Sequence, residues 1–171
     1  MDLDCLSFIN DKDFIKIKYN EETLLIKTPL LRVPFGIKSL KYKEKYSYNF
    51  QLSINKSFNE KSDKLLTFIN KLELYIKNKY KDNTLFKDKT FISRIYEGKN
   101  SPLLMIDLKK ETTFLCNNNF IKIESYIDKS FLCECSFIVT GLYIGETNWG
   151  LSFKCNEINI KEKTFKTFDF S

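Results

Sequence analysis

Tyr46-Ser-Tyr-Asn-Phe-Gln-Leu-Ser-Ile54 alternates along its whole length. Tyr46, Tyr48, Phe50, Leu52 and Ile54 fall on one side of an extended chain, and Ser47, Asn49, Gln51 and Ser53 fall on the other. Successive side chains of a strand point to opposite faces, so a period of two marks a strand with one dry and one wet face. Strands of that kind belong to antiparallel sheets and barrels, because strands buried on both faces lose the alternation. Towards the N-terminus, Phe14 to Tyr19 alternates in the same way. Asn20-Glu-Glu-Thr23 reads as a turn, and Leu24 to Lys27 resumes as a strand. Thr28-Pro-Leu-Leu-Arg-Val-Pro-Phe-Gly36 follows. Pro29 and Pro34 exclude a helix and an ordinary central strand there, which leaves an edge strand or an extended loop closed by Gly36.

Towards the C-terminus, Ser57-Phe-Asn-Glu60 has the S-x-x-E form of a capping box. Leu65, Ile69, Leu72 and Ile76 then recur at helical spacing, which predicts a helix over 58–80 packed on the sheet through that stripe. Strands are expected at 91–97, 103–109, 120–127, 131–140, 142–144 and 149–160. Gly98–Asn100 is read as a turn, Cys116–Asn119 as a polar loop and Gly145–Asn148 as a hairpin tip. Trp149, Leu151, Phe153 and Cys155 share one face, but Ile158 and Ile160 take the opposite register. A slip of one residue predicts a β-bulge. The pattern is that of a mostly β chain with one main amphipathic α-helix: a small closed or part-closed antiparallel sheet, with residues 1–171 as one domain and short terminal extensions.

Composition removes most catalytic chemistry. The chain has no histidine, so Ser-His-Asp and Cys-His machinery, His-ligated zinc and His general bases are all absent. No G-x-G-x-x-G or Walker A loop occurs among five glycines. Cys133-Glu-Cys135 has the wrong spacing for a zinc knuckle or a redox pair. It alternates with Phe131 and Phe137, so both thiols read as small core residues. The five cysteines are odd in number and scattered, as expected of reduced thiols inside a cell. No apolar run approaches the roughly 18 residues that span a bilayer, and Met-Asp-Leu-Asp-Cys lacks the basic start of a signal peptide. The expectation is a binding protein, not an enzyme, with no metal and no cofactor.

The net charge is +6, and of 28 basic residues all but Arg32 and Arg94 are lysine. The absence of alanine and the abundance of Ile, Asn and Lys fit an AT-rich coding sequence, which explains the amount of lysine but not its distribution. Residues 14–81 carry 15 basic and 6 acidic groups, whereas residues 111–171 carry 6 basic and 8 acidic. A gradient of that size gives the molecule a basic side suited to a polyanion.

Two stretches together carry a resemblance. Lys27-Thr-Pro-Leu-Leu-Arg-Val-Pro-Phe-Gly36 precedes the alternating strand 46–54, and Gly141-Leu-Tyr-Ile-Gly-Glu-Thr-Asn-Trp-Gly-Leu-Ser-Phe-Lys-Cys-Asn-Glu-Ile158 lies near the end. The pairing resembles the OB-fold single-stranded DNA-binding proteins of large nucleocytoplasmic DNA viruses. The resemblance implies an OB-like β-barrel that coats and protects single-stranded DNA during viral replication, recombination or repair. It also implies a place in the host cytoplasm, within a viral factory, or in the nucleus. The end of the chain departs from replication proteins that recruit polymerase partners through a long acidic tail: after Glu162 it has Asp169 against Lys163 and Lys166. Recruitment of replication proteins by a tail is therefore in doubt.

Such a protein holds phosphates with cations and stacks bases on aromatic rings. The best local match runs from Arg32 to Tyr48. Arg32, Lys38, Lys41, Lys43 and Lys45 are the candidate phosphate contacts there, with Lys27 just before them, and Tyr42 is the candidate stacker because it has no apolar neighbours in register. Tyr46 and Tyr48 continue the apolar face of their strand and read as core, and Phe35 after Pro34 reads as a loop plug. Arg32 stands out in a lysine-rich chain, since its planar fork makes bidentate and stacked contacts that lysine cannot. Trp149 and Lys154 form a second cluster, although Trp149 is in phase with Leu151 and Phe153 and core packing is its favoured reading. Arg94 and Tyr96 form a third. Two other readings stay open: an RNA binder of the same fold, and a protein-interaction or virion-structural β-barrel with no nucleic-acid role.

Overall fold

Two 14-residue strands near the C-terminus, Phe131–Ile144 and Asn148–Lys161, pair antiparallel along nearly their whole length, and five other strands pair directly with one or the other. The computed structural model describes residues 2–11, 13–42, 45–54 and 60–161, except the side chains of Tyr42 and Lys45. In chain order the strands are Leu6–Asp11 (β1), Phe14–Tyr19 (β2), Leu24–Lys27 (β3), Leu31–Val33 (β4), Ile37–Tyr42 (β5) and Lys45–Ser53 (β6). The helix Glu60–Tyr80 (α1) follows. Then come Thr90–Phe91 (β7), Ile95–Tyr96 (β8), Leu103–Cys116 (β9), Asn119–Phe120 (β10), Phe131–Ile144 (β11) and Asn148–Lys161 (β12).

Five of these strands close on themselves. β4 pairs with β6, β6 with β9, β9 with β12, β12 with β11, and β11 with β4. Only the β9–β12 member of this ring is parallel. This is the small closed barrel of the OB type, with one α-helix among the described residues, here placed between the second and third barrel strands. β2, β3 and β4 lie end to end along β11, so the first barrel strand is long but interrupted. One interruption is the turn at Asn20 and Glu21, both at positive φ.

The alternation of the sequence becomes inside and outside. Phe50, Leu52 and Ile54 are fully buried, as are Leu104 and Ile106 of β9, Phe137 and Val139 of β11, and Leu151 and Phe153 of β12. Cys133 and Cys135 sit among them as core residues. Burial pushes the thiols of Cys133 and Cys155 well up, so both stay neutral and weakly nucleophilic. The slip after Cys155 is a bulge: Phe137 pairs with Cys155 and Ser136 with Glu157, which leaves Asn156 as the extra residue. The helix buries Leu65, Leu66, Ile69, Leu72, Ile76 and Tyr80. Its last turn ends in an aromatic cluster, with Tyr80 at 5.1 Å from Phe86 and 6.4 Å from Trp149 between ring centres. Phe86 and Phe91 also stand 4.3 and 4.8 Å from Trp149.

Several expectations need correction. Residues 37–42, where no strand is expected from the sequence, form β5. β5 hides its identity because the β5–β6 pair runs past the barrel wall, so Lys38, Leu40 and Lys41 are all exposed and no apolar face remains. The expected strand 91–97 is two short pairings, β7 and β8, separated by Ile92–Arg94. The expected strand 120–127 is mostly a 3-10 turn, Ile123–Tyr126. The segment 28–36 contains β4, which is not an edge: Arg32 has Leu132 on one side and Ser53 on the other. β1, also unread from the sequence, pairs with β2. The capping box at Ser57 and the chain from residue 162 onward lie outside the described residues.

Gly36 ends the proline-bounded segment at φ +69°, and a Cβ there would stand 2.3 Å from the Lys129 backbone nitrogen. Both the conformation and the space exclude a side chain. Gly36→Ala is expected to lower the unfolding free energy by about 1–3 kcal/mol or more, measured by urea denaturation.

Candidate nucleic-acid interface

Side chains that point away from the barrel axis fall into rungs, because paired residues share a face of the sheet. One rung crosses Leu132 of β11, Arg32 of β4, Ser53 of β6, Leu103 of β9 and Tyr96 of β8. Gln51 and Met105 make the next. A third crosses Lys38 of β5, Asn49 of β6, Asp107 of β9, Lys154 of β12 and Ile138 of β11. Arg32 and Tyr96 thus share one rung, and Lys38 and Lys154 share another four residues along β6, roughly 13 Å away at strand spacing.

Leu132, Arg32, Ser53 and Leu103 of the first rung form the floor of a cleft of about 470 Å³. Pro34 and Phe35 rise on one side and Gly98–Ser101 on the other. Arg32 is exposed here, and its Nε donates to Ser130 Oγ at 3.1 Å. Phe35 is half-exposed at 50% and does not plug the loop. The Ser53 and Ser101 hydroxyls are 2.5 Å apart and tie the far wall to the barrel.

The third rung is electrostatically mixed. Lys38 Nζ lies 2.6 Å from Asp128, and Lys154 Nζ lies 3.3 Å from Asp107. Arg94 reaches the same Asp107 carboxylate at 3.2 Å from beneath. Its Nε donates to the Leu151 carbonyl, and its backbone N–H donates to Glu73 of the helix. Its guanidinium stands 5.8 Å from the Tyr143 ring. Burial raises the pKa of the Tyr143 hydroxyl against the opposing pull of Arg94, so the phenol stays protonated and can donate a hydrogen bond.

The structure sorts the residues expected from the sequence. Arg32, Lys38, Tyr96 and Lys154 are brought together on the outer face. Lys41 is further out on the β5–β6 pair, its ammonium 5.6 Å from the Tyr46 ring. Tyr46 is 61% exposed, Tyr48 is half-buried against the core, and the strand face is fully buried from Phe50 onward. Lys27 is exposed on β3 in a separate depression with Lys61, Lys64 and Glu134. Lys43 and the side chains of Tyr42 and Lys45 lie outside the described residues.

Two expected contacts are corrected. Trp149 is buried among Tyr80, Phe86 and Phe91, so its indole has no face open to a base. Arg94 is 7% exposed and acts as an internal tie between helix and barrel. Sequence reasoning missed Lys99 on the cleft wall and Tyr143 on the outer face. Tyr143 points outward because a register shift between Val139 and Gly141 changes the phase of β11, and Gly141 is the signal that marked it.

No family model and no curated protein matches the chain. Solved structures do. The single-stranded DNA-binding protein gp2.5 of bacteriophage T7 is similar at TM-score 0.55 and 8% identity, over 86% of this chain and 91% of that one. The single-stranded DNA-binding protein of bacteriophage Enc34 is similar at TM-score 0.59 and 12% identity, over 96% and 94%. The same phage protein in complex with single-stranded DNA gives TM-score 0.55 at 12% identity, over 96% and 98%. At these identities the likeness is one of fold: an OB-like barrel shared with phage proteins.

Truncating Arg94 would keep the backbone N–H that Glu73 accepts from, but it would remove the guanidinium from the Asp107 carboxylate, leaving Lys154 as its partner, and from the Leu151 carbonyl. Arg94→Ala is expected to cost about 1–3 kcal/mol of stability in urea denaturation, against under about 0.5 kcal/mol for the exposed Arg32→Ala.

Proposed function

We propose that this chain binds single-stranded DNA across the outer face of the barrel, coating and protecting it during viral DNA replication, recombination or repair. The observation that carries the reading is the set of outward rungs over β4, β6, β9 and β12, which gather Arg32, Lys38, Tyr96 and Lys154 from distant parts of the chain. The same region of an OB barrel is where oligonucleotides lie in general. Cations about 13 Å apart with a tyrosine and a phenylalanine nearby suit a strand whose phosphates are held and whose bases are free to stack. Support also comes from the fold likeness to phage proteins that bind single-stranded DNA. The role is binding, not catalysis. RNA of the same sequence is the competing ligand, and the 2′-hydroxyl decides between them.

Fluorescence anisotropy with labelled single-stranded DNA, duplex DNA and single-stranded RNA of one sequence, over a range of salt, tests the reading. Single-stranded DNA is expected to bind well above duplex, with log affinity falling linearly in log salt. Lys154→Ala and Arg32→Ala are each expected to make that slope shallower by about 0.7 for every phosphate the native side chain neutralises. Absence of binding at low salt would overturn the proposal.

A further inference from the structure

The cleft on the first rung is more than a stretch of charged surface, and we infer that it takes one nucleobase out of the stacked strand and anchors it. The inference rests on the single-stranded DNA reading and adds a distinct site to it. The cleft's volume, about 470 Å³, is in the range of small-ligand pockets, whereas a strand that only runs over a sheet needs no such hollow. Its lining is chemically divided. Leu103 and Leu132 on the floor and the half-exposed Phe35 on the wall offer apolar and aromatic surface to the faces of a base. Asn100 and the Ser53–Ser101 hydroxyl pair offer donors and acceptors to its edge. Arg32 and Lys99 supply cations for the adjoining phosphate. Arg32 spends Nε on Ser130, which leaves both terminal amino groups of the fork, and among the described residues no carboxylate pairs with it.

The geometry separates single strands from duplexes. A base reaches the cleft only by leaving its stack, which costs a few kcal/mol for a paired base and little for an unpaired one. The site therefore selects for single strands by shape, where the lysines select only for charge. It also makes the protein's footprint uneven: one nucleotide is held more tightly than its neighbours, and the Asn100 amide gives that position a base preference.

The test is a scan with the shortest oligodeoxythymidylate that binds at full affinity, carrying a single abasic site at each position in turn. The expected result is one position where loss of the base weakens binding roughly fivefold to hundredfold, the measured range for a base stacked on an aromatic ring, with about threefold or less elsewhere. Phe35→Ala should flatten that profile. Asn100→Ala, an exposed substitution, should keep the peak but change the ranking of dA, dC and dT oligonucleotides. Equal losses at every position, or a peak that survives Phe35→Ala unchanged, would overturn the cleft assignment while leaving the wider reading intact. No binding of the unmodified oligonucleotide would remove both.

Discussion

The parallel ladder between β9 and β12 is the contact on which the rest of the molecule depends. Antiparallel neighbours can be joined by short turns, but parallel ones need the chain to cross over, and here β11 makes the crossing. With β12 held between β11 and β9, the sheet has no free edge within the ring, and every barrel strand acquires one dry and one wet side. Closure bends the long strands, and the bend is absorbed at defined places. Asn156 is the extra residue of one bulge, and the shift between Val139 and Gly141 marks another irregularity. A Cβ on Gly141 would come 2.0 Å from the Ile15 carbonyl oxygen, so β2 can lie against β11 only because that position is glycine.

Closure also decides which charges are available. Lys38 and Lys154 each face a carboxylate, Asp128 in a half-exposed pair and Asp107 in a part-buried one. Pairs of that kind contribute little to stability, about 0–1 kcal/mol, so exchanging the carboxylate for another anion would cost little. Meanwhile the carboxylate holds the lysine in place. Arg32 has no such partner among the described residues, and it lines the cleft of about 470 Å³ on this face. The outer face is therefore a chequered surface and not a uniformly basic one. Under the proposed function, its affinity for a polyanion depends on where the free cations sit, more than on the net charge of +6.

Arg94 and Trp149 show how a residue type can mislead. Both are types that favour nucleic-acid contacts, and both are rare in this chain. Each is consumed internally. Arg94 links the helix through its backbone N–H to Glu73 and the barrel through Asp107 and the Leu151 carbonyl. Trp149 seals the end of the barrel against the last turn of the helix. Phe35 goes the other way: hydrophobic and next to proline, it reads as a plug, yet it stands half-exposed at the cleft.

The alternation of 46–54, the helical stripe of 65–76, the hairpin at 145–148 and the one-residue slip after Cys155 were legible in the residues alone, because each is a local periodicity imposed by backbone geometry. So were the core placement of Cys133 and Cys135 and the loss of His-based chemistry. The strand at 37–42 was not legible, since a strand that overhangs its barrel has no apolar face to betray it. Nor was the cleft. Its walls come from residues 34–35 and 98–101 and its floor from four strands, so no window of sequence contains it. Periodicity tells a residue which side of its own element it faces; only the pairing of that element with distant ones decides what lies beside it, and whether an arginine or a tryptophan meets solvent or the core.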